Sequence, residues 1–288
     1  MNARSSRWYE RLMNAFAEVH AGEGATALLL MLNVFLLLAA YYIMKPVREA
    51  LILAGGGAEL KAYMSAGQTF LMLFTVPLYA RLASRMPRRK LLNAVTLFFV
   101  GCIGVFYLLA QADVPLGVAF YLWVGIFNVS VIAQFWSFAN DLYTPGQGKR
   151  LFAIVAFGAS AGAVVGPAIS RWLIEPLGVY SLLLVAAGVL AASLIVTNIV
   201  DLRERRLTTR PTPGHMPSGP AGPPEPAKAE EPIGKSGAYA LVFRNRYLLL
   251  IALLILFLNW VNTTGEYILG RVITQTAEAA TGGSEAAM

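Results

Sequence analysis

Residues 25–54 read ATALLLMLNVFLLLAAYYIMKPVREALILA. The first twenty, 25–44, carry no charge. At about 1.5 Å of rise per residue they can cross a hydrocarbon core of about 30 Å as one α-helix. The charged interruption Lys45, Arg48 and Glu49 follows, and Ala50–Ala54 is apolar again. The helix can therefore run on to about Ala54. Further apolar runs occur at 63–80, 91–110, 116–139, 151–173, 178–200 and 247–269. Each is close to the length of a membrane span. The whole chain agrees: 288 residues, 57% hydrophobic and 14% charged. Soluble domains average about a quarter charged residues. The composition excludes a soluble enzyme, a disordered tail and a nucleic-acid binder, despite the formal charge of +7. The expected class is all-α, a polytopic membrane protein with the lipid bilayer as its first partner.

Basic residues give that charge a position. Arg4, Arg7 and Arg11 precede the first span; Arg81, Arg85, Arg88, Arg89 and Lys90 follow the second. Lys149 and Arg150 follow the fourth, and eight more fall between Arg203 and Arg246. Eighteen of 23 thus sit on one side, while the alternate loops hold Lys61 and Arg271. That asymmetry places the N-terminus and the 201–246 segment in the cytoplasm. No stretch before residue 24 has a signal peptide's apolar core and cleavage site, so the first span is expected to be retained. Cys102 is the one cysteine, among apolar neighbours, and is expected to be buried.

Residues 207–237 contain eight of the fifteen prolines and read as an extended linker. The expected organisation is a cytoplasmic N-terminal segment (1–24), a six-helix bundle (25–200), a cytoplasmic Pro-rich linker (201–246), a seventh span (247–269) and a polar tail (270–288). Six helices, a long linker and a restart resemble the major facilitator architecture, in which two six-helix halves pack about an axis along the membrane normal. That architecture calls for about twelve helices, so the sequence is expected to be part of a longer carrier. The loop from Ala80 to Lys90 is a degenerate match to the superfamily's Gly-x-x-x-Asp-Arg-x-Gly-Arg-Arg/Lys signature. Gly158, Gly162 and Gly166-Pro167 form a small-x-x-x-small series similar to the fifth helix of many major facilitator antiporters.

Charges inside spans are costly and read as functional by default. Lys45 and Glu49 stand one turn apart and can pair; Arg48 can share their face, and Tyr41 and Asn33 continue the stripe. The alternative reading ends the span at Met44 and lets the basic side chains snorkel to the outer interface. Facing a cavity, Lys45 and Arg48 would suit an anion, above all a phosphate group. Span four carries Ser130, Gln134, Ser137 and Asp141 on one face, beside Asn140. Such a stripe lines either a watery pathway or a helix contact. Span seven carries Asn259, Asn262, Thr263 and Glu266.

One junction is more specific. Phe135-Trp136-Ser137-Phe138-Ala139-Asn140-Asp141-Leu142-Tyr143-Thr144 is followed by Lys149-Arg150-Leu151-Phe152 and then Gly158-Ala159. This resembles the ATP/ADP translocase family of plastids and obligate intracellular bacteria, a distant branch of the major facilitator superfamily. Tyr42, Lys45, Arg48, Glu49 and Leu51 match a family Tyr, Arg, Lys, Asp and Leu at the same intervals. Asn262 and Glu266 are similar to an Asn–Glu pair in the family's seventh helix, offset by one. The resemblance implies a transporter in a bacterial inner membrane. By that resemblance Lys45 and Arg48 would contact phosphates and Glu266 would help shape the site; Glu49, Tyr41, Gln134, Asn140 and Asn262 are the further residues expected to bind substrate. Departures are Pro46 for an acidic residue, Val124 or its neighbours for a glutamate, and Arg271 for a lysine pair. They favour an anionic, nucleotide-like solute over ATP/ADP exchange itself. Other expected readings are a non-transporting fragment of such a carrier and a facilitator for an unrelated small solute. A retinal receptor lacks its Schiff-base lysine in 247–269. No hydrolase or metal motif is present, so neither an enzyme nor a cofactor is expected.

Overall fold

The computed structural model of the chain describes residues 20, 23–112, 114–208 and 242–280. Among them there is no strand. Hydrogen bonding runs helically from Gly24 to Arg85, but Gly56 and Gly57 leave helical geometry. Gly57 has φ 65° and ψ −164°, a left-handed conformation that suits glycine. This break divides the stretch into α1 (24–55) and α2 (58–85). The chain turns back there: Lys61 Nζ reaches Glu49 Oε2 at 2.7 Å. Along a straight helix those residues would stand about 18 Å apart.

The remaining helices are α3 (Arg88–Gln111), α4 (Gly117–Leu142), α5 (Pro145–Leu177), α6 (Ser181–Thr208) and α7 (Arg246–Ala280). All seven expected spans are helical. Two helices outrun their apolar runs. α6 continues through Thr208, where straight-chain Leu, Arg and Glu residues keep it helical. Arg205 and Asp201 bridge one turn of that extension at 3.0 Å. Residues 201–208 of the expected linker are therefore helix, and 209–241 lie outside the described residues. α7 likewise runs on from 270 to Ala280, which the sequence reading assigned to a polar tail. Falling hydropathy marks the edge of the membrane, not the end of the helix.

The described residues fall into two compact units, one holding α1–α6 and the other α7. In the first, α1 is the central helix. The α5 glycines fit against it: a Cβ on Gly158 would lie 2.3 Å from the Met31 carbonyl oxygen, and one on Gly162 2.6 Å from that of Phe35. One on Gly166 would lie 2.7 Å from Tyr42 Cβ. The small-residue series is thus a backbone-to-backbone seam, the geometry such spacing permits in a bilayer. Ser170 extends it, its hydroxyl donating to the Ile43 carbonyl at 3.3 Å. α5 begins on a capping box. The Thr144 hydroxyl accepts from the Gln147 backbone N–H (3.4 Å), the Gln147 side chain accepts from the Thr144 N–H (3.0 Å), and Pro145 follows the cap.

α3 and α4 join through a file of rings, Phe99, Phe106, Phe120, Trp123 and Phe127, with neighbouring centroids 5.1–5.9 Å apart. Phe98, Leu108, Phe157, Trp172 and Ile195 are exposed on the bundle. Hydrocarbon, not water, is the solvent that such a surface suits. Cys102 is half-buried on α3, less enclosed than its apolar neighbours led us to expect. α7 is a single apolar helix, Arg246–Thr276 being long enough to cross a membrane.

Candidate functional site

The charged interruption in α1 is a built cluster at the end of the bundle where α1 turns into α2. Arg48 lies 24 residues beyond Gly24, about 36 Å along the axis. It is 7% exposed, so it does not snorkel into solvent. Its Nε donates to Glu49 Oε1 at 3.2 Å, and Nη2 donates to the same oxygen. The other carboxylate oxygen takes Lys61. Lys61 is itself buried, 9% exposed. The sequence reading paired Glu49 with Lys45; in the structure the cations on its two oxygens are Arg48 and Lys61. The turn at Gly57 is the reason, because it brings a residue twelve positions away closer than one helical turn does.

Tyr121 of α4 completes the corner. The Arg48 guanidinium carbon is 4.8 Å from its ring centroid, a distance at which the ring face attracts a cation. Its hydroxyl pairs with Ser65 of α2 at 2.6 Å. Lys45, one turn earlier on α1, holds its ammonium 5.8 Å from the Tyr42 ring centroid. Tyr41 packs edge-on to Tyr42, centroids 5.0 Å apart. The structure therefore gathers Lys45, Arg48, Glu49 and Tyr41 at one end of α1 and adds Lys61, Ser65 and Tyr121. The signal for Lys61 was already available: topology leaves it on the wrong side for a basic residue. A count of spans alone puts it in a loop. Nothing in the sequence marks Tyr121.

The expected residues of α4 lie elsewhere in the bundle. Gln134 is thirteen residues from Tyr121 on α4, about 20 Å. It is 5% exposed and sits between α1, α3 and α6. Ser137 and Asp141 are exposed and, with Gln134 and Tyr79, line a chamber of about 260 Å³. Asn140 is exposed in the last turn of α4. Asn262 and Glu266 stand one turn apart on one face of α7. Among the described residues no group of His, Cys, Asp and Glu is placed to hold a metal ion.

The opposite end of the bundle is tied by a second polar knot. Glu23, the residue just before α1, accepts from Gln147 Nε2 at 2.9 Å, from both terminal nitrogens of Arg150 at 3.4 Å and from the His20 backbone N–H at 3.2 Å. Thr26 donates to Glu204 of α6 at 2.7 Å and accepts from Arg203 at 3.3 Å. Burial raises the affinity of the Glu23 carboxyl for a proton. The donors from Gln147, His20 and Arg150 outweigh it and hold the group below its usual value of 4.5. A lowered carboxyl contributes stability above its unfolded value and loses it as pH falls through the folded one. Thermal unfolding of the wild type and Glu23→Gln checks this. The wild type is expected to be the more stable at pH 7, with the gap closing below about pH 4. An undiminished gap at pH 3 would show that the knot is not ionic.

Comparison with curated proteins and with solved structures finds no match. Residues 25–275, from the first turn of α1 into the last turns of α7, match the family model of the Major Facilitator Superfamily. The chain belongs to the major facilitator superfamily, as a polytopic membrane protein of transporter type.

Proposed function

We propose that this carrier moves an anionic, nucleotide-like solute by alternating access, and that the anion is met by Arg48, Lys61 and Lys45. One observation carries this reading: two buried cations share the single carboxylate of Glu49. Arg48, Lys61 and Glu49 bear between them one net positive charge. Burying charge inside a membrane bundle is costly and is not needed to hold a helix turn. A phosphate oxygen can replace Glu49 at either cation, since arginine offers a planar fork and lysine a mobile point charge. The resemblance of the α1 and α4–α5 residues to the ATP/ADP translocase family supports a phosphate-bearing solute and an exchange mechanism. With the N-terminus in the cytoplasm of a bacterial inner membrane, the cluster would face the periplasmic mouth. The α4 face at Ser137 and Asp141 would lie at the cytoplasmic one.

The test is ligand binding by the full chain in lipid nanodiscs. Inorganic phosphate, ADP and ATP are titrated against a neutral sugar, with thermal stability as the readout. Phosphate-bearing ligands are expected to raise the melting temperature, less so at high salt because the attraction is screened. Equal responses to phosphate and sugar would overturn the anion reading and favour a facilitator for an unrelated solute.

A further inference from the structure

Gln134 is a buried amide in the bundle interior whose nitrogen has no protein acceptor within hydrogen-bond reach. It lines a cavity of about 20 Å³ between α1, α3, α4 and α6, together with Asn33, Thr96, Ser193 and Thr197. All five are polar, in a part of the fold where the other lining residues are apolar. One water molecule needs a cavity of roughly 10–15 Å³ and two to four polar partners. Both conditions are met. Asn33 already uses its two N–H groups, on the Ser193 carbonyl and the Thr197 hydroxyl, each at 2.7 Å. Its carbonyl oxygen keeps accepting capacity, as does the Thr96 hydroxyl.

We infer that this cavity is a binding site for one ordered water, which accepts from Gln134 and donates to Asn33 and Thr96. The site ties α4 to α1 and α3 without direct side-chain bonds. Water both donates and accepts, so the assignment holds whichever way the Gln134 amide is turned. Gln134 and Leu92 also line the 260 Å³ chamber that holds Ser137 and Asp141. The two spaces therefore share a wall, and the chamber is the route by which the water exchanges. Gln134 is thus a joint residue of the helix bundle, one whose hydrogen bonds are made through a mobile link.

Two measurements on the full chain in nanodiscs test this. In X-ray hydroxyl-radical footprinting, bound water labels the side chains beside it. Phe135 and Phe138 line the cavity, at 3% and 5% exposure; Phe120 and Phe127, both 0% exposed, are the buried controls. Labelling of the first pair is expected to exceed that of the controls several-fold, and to fall to their level in Gln134→Leu. Labelling no higher than the controls, or unchanged in Gln134→Leu, overturns the site. Thermal unfolding gives a sign. With the water bound, Gln134→Leu strands its acceptors and lowers the melting temperature by about 2–5 °C. Without it, the same change removes an unsatisfied buried donor and leaves the temperature unchanged or higher, which refutes the proposal. If Gln134→Leu does not fold, the wild-type footprint alone decides.

Discussion

Arg48→Ala is expected to destabilise the bundle by about 3–5 kcal/mol, the cost of breaking a buried ion pair by deleting one partner. The figure belongs toward its lower end here, because Glu49 keeps Lys61 at 2.7 Å. The loss has two parts. Glu49 loses both hydrogen bonds from the guanidinium, and the Tyr121 ring loses the cation lying 4.8 Å from its centroid. Phosphate binding should fall by about ten- to a hundredfold, the worth of one charge-assisted hydrogen bond of about 1.5–3 kcal/mol. Arg48→Lys separates the two effects. It keeps the charge and part of the stability but loses the planar fork, so affinity should suffer more than the unfolding temperature. Thermal unfolding and phosphate titration on the same nanodisc samples check both. A stability loss with unchanged phosphate binding would make Arg48 a fastening of the α1–α2 corner and nothing more.

How that corner could and could not be read from the sequence has a physical explanation. Spans are legible because the bilayer imposes one scale of length and polarity, and α1–α7 all follow it. The break between the first two spans falls at Gly57, since only glycine sits easily at the φ of 65° it adopts. What the break brings together is a different matter. Pairs three or four residues apart can be listed along a helix, and they led to Lys45–Glu49. The Lys61–Glu49 pair exists only once the chain has turned back, and a span count had placed Lys61 in a loop. α4 shows the same limit. Ser130, Gln134, Ser137 and Asp141 share a face by spacing, yet Gln134 is buried while Ser137 and Asp141 are exposed. The face is a property of α4 alone. Which part is covered depends on where α1, α3 and α6 lie. The α5 glycines are the favourable case, because close approach is what a small residue permits, and Met31, Phe35 and Ala39 fill the space they leave.

Glu49→Gln should separate an anion site from a structural clamp more sharply than any loss of a cation. The carboxylate is the shared counter-charge of Arg48 and Lys61, each less than a tenth exposed. Removing its charge takes from Arg48 and Lys61 the carboxylate they share, and in phosphate-free buffer the variant is expected to lose about 3–5 kcal/mol. A phosphate ion that enters the wild-type corner competes with Glu49 for the same donors. In the glutamine variant that competitor is gone. The affinity for inorganic phosphate should therefore rise, by about tenfold or more if displacing the carboxylate costs at least 1.4 kcal/mol. Saturating phosphate should also return a large part of the lost stability, since a ligand that binds only the folded state stabilises it. A clamp predicts the opposite pattern, a weakened corner that phosphate neither binds more tightly nor repairs. Glu49→Asp is the control. It keeps the charge on a shorter stem that cannot hold both cations at once, so it should lose stability without gaining affinity. If phosphate rescues neither variant, the anion reading of Arg48 and Lys61 falls. If it rescues Glu49→Gln alone, then Glu49 occupies in the empty carrier the place that the substrate anion takes in the loaded one.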